Sequence, residues 1–229
     1  MKVTPIDLDQ LLSQTYYSWN ATSLLSGVVD FLRFSEENLA WLRRREIQKA
    51  EAEGEAAEFE PPDEDLKETY RNHLVESATY RFDVGLSQSI RYSGLAAFTT
   101  AIEFCAKAFL KRLTFSLPPT PREENKHVHL LSILNQKAAA GFDERIVELR
   151  NLFRVRNCVV HAAGFVDAYE HEASAREAAT TLEGVSIWNE DFLGTSICLK
   201  DGAVEKYASA AIQWVPELDK RGTNAGLMK

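Results

Sequence analysis

Apolar residues three and four apart recur along most of this chain, and that spacing restricts its fold more than any other feature. Leu95, Phe98, Ile102, Cys105, Phe109 and Leu113 form one stripe. Leu24, Val28, Phe31, Leu32, Leu39 and Leu42 form another. Such residues share one face of an α-helix. Each stripe must be covered by another element, so several stripes in 229 residues predict helices packed on helices. The length suits one domain of moderate size with a real core.

Breaks in the pattern divide the chain. "IDLDQLLSQTYYSW" reads as a first helix. Asn20 or Thr22 is placed to cap a second, which carries the Leu24 stripe. "AEAEGEAAEFEPPDEDLKE" is acidic, poor in large apolar groups and interrupted by Pro61-Pro62, and reads as an exposed linker. A long helix follows from about Glu64. Lys111 and Arg112 suit its C-terminal dipole, and the three prolines of "SLPPTPRE" stop it. "HVHLLSILNQKAA" is a shorter helix, and Gly141 separates it from another over about Asp143 to Ala163. "GVSIWN" and "TSICL" then alternate apolar and polar residues around "EDFLG", which predicts a hairpin or a pair of edge strands. Asp201-Gly202 makes a turn. Val204, Tyr207, Ala208, Ala211, Ile212 and Val215 define a last helix before Pro216. The expected fold is predominantly all-α, an antiparallel helical bundle with a small β-hairpin before the C-terminal helix. Its expected parts are an N-terminal helical segment with acidic linker (1–62), a helical domain (63–217) and a flexible tail (218–229).

Net charge is −8, which excludes a generally basic surface; a nucleic-acid site here would be a local patch on an acidic body. Cys105, Cys158 and Cys198 are widely spaced and sit among apolar residues, as buried free thiols do in a reducing compartment. "MKVTPIDLDQ" has no apolar stretch after its lysine, so no signal peptide is expected. No run of apolar residues approaches a membrane span, so cytoplasm and no membrane partner are expected. No cofactor or metal is expected either. There is no Gly-rich phosphate loop, no Ser/His/Asp set and no nucleotidyltransferase acidic motif. His127 and His129 fall on different sides of a helix and read as exposed residues of a helix start.

One helix is unusual. "RVRNCVVHAAGF" (154–165) places Arg156, Asn157 and His161 close together in an apolar setting. At about 100° per residue, Arg150, Arg154, Asn157 and His161 fall within about 60° and make one polar stripe. Ile146, Leu149, Phe153 and Val160 flank it, and Leu152, Val155 and Val159 form a second apolar stripe on the far side. A surface helix needs one apolar face; this one has two. The second would pack on the N-terminal helices or on another copy of the chain. Arg156 lies about 120° from the polar stripe. There a guanidinium needs partners, because an unpaired buried charge is costly. Glu103 is one candidate partner. Cys158 beside it reads as a packed thiol.

"RNCVVH" resembles the signature of the HEPN superfamily: Arg, a polar residue, three further residues, then His. The resemblance covers roughly residues 65 to 217. It implies metal-independent endoribonuclease chemistry in a homodimer whose two motifs line one cleft. By this resemblance His161 is the general acid/base. Histidine is the side chain whose ordinary titration range reaches neutrality. Arg156 would hold the scissile phosphate, Asn157 would orient the histidine or touch the phosphate, and the product would carry a 2′,3′-cyclic phosphate. Arg150 and Arg154, one and two turns back, would extend the phosphate track over RNA. The second apolar stripe would be the dimer contact. A cognate antitoxin or another defence-system protein is a further implied partner. Members paired with nucleotidyltransferase antitoxins have Tyr two residues after the His; here that residue is Ala163. A non-catalytic HEPN-like module that binds RNA or protein is the alternative.

Overall fold

A computed structural model describes residues 8–122, 124–190 and 194–229. Residues 1–7 and the expected hairpin tip at 191–193 lie outside them. The elements in order are α1 (Leu8–Ala56), α2 (Glu64–Tyr80), α3 (Ser87–Arg112), α4 (Lys126–Lys137), α5 (Asp143–Ala162), α6 (Glu172–Thr181), β1 (Val185–Glu190), β2 (Gly194–Leu199) and α7 (Ala203–Asn224). The fold is predominantly all-α, with a two-stranded antiparallel hairpin before the last helix. Val185 pairs with Leu199 and Glu190 with Gly194.

Two long rods frame the molecule. The first is α1, 49 residues in a single helix. The expected cap at Asn20 or Thr22 is therefore mid-helix, and the acidic segment continues as helix to Ala56. The second runs from Glu64 to Arg112, because a wider π-type turn at Arg81–Leu86 joins α2 to α3 without a break. Asp63 caps its start by accepting from the Leu66 amide at 2.9 Å. Arg43 of α1 donates from Nη2 to Asp83 Oδ2 at 2.8 Å and ties the rods together at the π turn. This second rod holds a stretch long and apolar enough to cross a membrane by composition, contrary to the sequence reading; half of that stretch is buried inside the bundle.

One core joins the elements. Leu25, Val29 and Leu32 of α1 bury with Leu95, Phe98 and Ile102 of α3, Leu131 and Leu134 of α4, Phe153 of α5, Ile197 of β2 and Val215 of α7. The N-terminal helix is thus part of the same core as the motif helix. The tail expected at 218–229 is corrected. Helix α7 continues through Pro216 to Asn224, and Leu218, Asp219, Gly222 and Met228 are buried. Arg112 fixes this end: Nη1 donates to Asp219 Oδ1 at 2.6 Å and Nε to the Lys229 carbonyl at 2.6 Å.

Candidate functional site

Helix α5 starts at a corner built by Asn135. Its Oδ1 accepts from the Phe142 amide and its Nδ2 donates to Asp143 Oδ1, both at 2.9 Å. Asp143 and Glu144 in the first turn suit the dipole. The helix stops where Ala163 (φ 51°) and Gly164 (φ 86°) enter the left-handed region. Gly164 is required twice, by its φ and by the Tyr92 ring, whose hydroxyl would lie 2.3 Å from an added Cβ. The Ile197 amide donates to the Gly164 carbonyl at 2.9 Å, and Tyr92 donates to the Ile197 carbonyl. The end of the motif helix is pinned to β2 and α3, so His161 stays on a regular helix.

The polar stripe faces outward. Arg150, Arg154 and Asn157 are half-buried and His161 is exposed. Arg156 lies off this stripe. Its Nη1 donates to Asn157 Oδ1 at 3.1 Å, while its Nε is buried with no acceptor. No carboxylate among the described residues pairs with it. Glu103 instead lies 4.0 Å from His127 Nδ1. No hydrogen bond links Arg156 to His161. Asn157 and Arg154 line a groove of about 1090 Å³ together with Arg122, Tyr169, His171 and Arg176. Arg156 and His161 do not line it.

Other expectations are corrected or refined. Leu152, Val155 and Val159 are buried within this chain, in its own core, so that stripe is not a dimer contact. Arg150 is occupied: Nε and Nη2 donate to Glu124 Oε1 at 3.0 and 2.7 Å. Arg154 donates to Asn151 Oδ1 at 3.4 Å and lies 3.7 Å from Glu177. His127 and His129 are buried, not exposed. Burial pushes His127 below the ordinary histidine range against the pull of Glu103. His129 Nδ1 sits 3.3 Å from Glu124 Oε2. Cys158 is buried, and burial pushes its thiol up to about 11, which leaves it a poor nucleophile. The groove wall from Tyr169 to Arg176 was not singled out in the sequence. Its one signal is a run of charged and aromatic residues, "DAYEHEASARE", straight after the motif helix.

Compared with protein-family models, with curated proteins and with solved structures, the chain finds no match.

Proposed function

We propose that this chain is a HEPN-type, metal-independent endoribonuclease that acts as a cytoplasmic homodimer on RNA, in phage defence or as a toxin. The observation that carries the reading is Arg156: a half-buried guanidinium with an unpartnered Nε and, among the described residues, no carboxylate paired with it, five residues before an exposed histidine. Keeping such a group is costly unless an anion completes it, and a phosphate oxygen is the natural acceptor for a planar guanidinium.

In this reading one His161 takes the proton of an RNA 2′-hydroxyl. The 2′-oxygen attacks the adjacent phosphorus and the 5′-oxygen leaves, taking a proton from His161 of the second copy. The products are a 2′,3′-cyclic phosphate and a 5′-hydroxyl. Arg156 steadies the charge gathering on the phosphoryl oxygens. Asn157 holds Arg156 from one side and faces the groove that would take the adjoining nucleotides. With Leu152, Val155 and Val159 buried, the outer end of α5 becomes the pairing surface, where Val160 is half-exposed beside His161. A cognate antitoxin or defence-system protein would dock over the same end.

The second reading, a non-catalytic HEPN-like module that binds RNA or protein, draws on the ion pairs that already occupy Arg150 and Arg154. Binding and cleavage of a labelled single-stranded RNA, followed together in EDTA, separate the two. Cleavage by wild type that Arg156→Ala and His161→Ala each abolish favours the nuclease. Retained binding without cleavage by any of the three favours the module.

A further inference from the structure

Helix α1 has two apolar faces. Ala21, Leu25, Val28, Leu32 and Leu39 are buried in the bundle. Turned roughly 110° from them, Leu24, Phe31, Phe34, Trp41 and Leu42 share an arc of about 100°. They are 42%, 44%, 62%, 54% and 39% exposed. With aromatic side chains of about 150–250 Å² each, the open apolar area is on the order of 500 Å², at the upper end for any patch on a monomer. Doubled, it approaches the lower bound of a specific protein interface.

The spacing on this face is that of a coiled-coil seam. Leu24, Gly27, Phe31, Phe34, Asn38, Trp41 and Arg45 advance by alternate steps of three and four. Gly27 is the odd member. Glycine inside a helix is destabilising relative to alanine. Gly94 of α3 has an internal reason, because the Leu32 side chain presses against it. Gly27 has none, since a methyl group there would meet nothing in this chain. A close approach from outside would account for it.

We propose that α1 pairs antiparallel with α1 of a second copy of this chain. The charges select both the occupant and its direction. In a parallel pair Arg45 would face Arg45, and Arg44 would flank Lys49 of the second copy. In an antiparallel pair with its two-fold axis between Phe34 and Asn38, Phe31 packs on Trp41 of the second copy. Gly27 then leaves room for the stem of Arg45 of the second copy, and Asp30 faces its Arg44. Asp30 and Arg44 are exposed and have no ion-pair partner within the chain among the described residues. Two such pairs form by symmetry, against one approach of Glu37 to its own copy. Sliding the register by one heptad sets Asp30 against Glu37 or Glu51 instead.

This surface is separate from the motif. Leu32 of α1 meets α3 at Gly94, while Gly164 meets it at Tyr92, two residues away and so on the other side of α3. The pairing does not rest on the proposed ribonuclease chemistry.

Sedimentation of the full chain at micromolar concentration tests it. Wild type is expected to associate, and Phe34→Asp with Trp41→Asp is expected to halve the mass without altering thermal unfolding. Asp30→Arg should weaken association by about tenfold, and Asp30→Arg with Arg44→Asp should restore it. RNA cleavage, where present, should be retained in these variants. A monomeric wild type, a mass unchanged by the two aspartates, or a charge exchange that fails to restore association overturns the proposal. So does a monomeric wild type that instead sediments with vesicles of anionic lipid.

Discussion

Arg112 and Arg156 show what a guanidinium costs and what it gains. Arg112 is buried and supplied with acceptors: Asp219 Oδ1, the Lys229 carbonyl and Thr223 Oγ1. Removing one partner strands the other, so Asp219→Ala is expected to lose about 3–5 kcal/mol of stability in urea unfolding. Arg156 has one amide oxygen and an orphaned Nε. Arg156→Met therefore leaves stability unchanged or raised, by up to about 2 kcal/mol, while removing function. A fall of several kcal/mol would mark Arg156 as a purely structural residue. His127 gives a pH signature. Burial lowers its folded-state value, so the unfolded chain binds the proton first. Its contribution is intact above the ordinary histidine range and declines as pH falls through about 6.5. His127→Leu should flatten the stability profile over that window, measured by urea midpoints at successive pH values.

At the level of elements, α5 explains both what could be read in advance and what could not. Its two apolar stripes and outward polar stripe follow from residue spacing; the structure buries both apolar stripes except Val160 and turns the polar stripe outward. That α6 packs on α5 was not legible, because α6 buries only Ala175, Ala178 and Ala179. Alanines leave little periodic signal, yet they allow close helix packing. Asn151 Nδ2 donates to Thr181 Oγ1 at 2.8 Å and closes the same contact. Leu152→Ala should accordingly lose about 2–5 kcal/mol by leaving a cavity, seen in urea unfolding, without changing the assembly mass. Proline ordinarily ends a helix, but burial of Leu218, Asp219 and Gly222 beyond Pro216 outweighs the lost hydrogen bond. The buried His127 and His129 were missed because Asn125 caps α4 just before them and turns its first residues toward the bundle.

On the scale of the whole molecule, the site joins segments far apart in sequence. Spacing placed Arg150, Arg154, Asn157 and His161 on one face. The partners of Arg150 and Arg154, Glu124 before α4 and Glu177 on α6, come from other elements that no local pattern connects. The body is acidic, at −8, so RNA would be held at this end and not over the surface at large. Glu124→Gln frees Arg150 from its ion pair and is expected to tighten RNA binding a few-fold at low salt, with the gain shrinking as salt rises, as filter binding would report. The central proposal is that the Arg156–His161 helix cuts RNA by attack of the RNA's own 2′-hydroxyl. The direct measurement is the rate and end chemistry of cleavage of a defined RNA in EDTA. The account predicts 2′,3′-cyclic phosphate and 5′-hydroxyl ends, with His161→Ala slower by about a hundredfold or more. Equal rates for wild type and His161→Ala, or 3′-hydroxyl and 5′-phosphate ends, would contradict it.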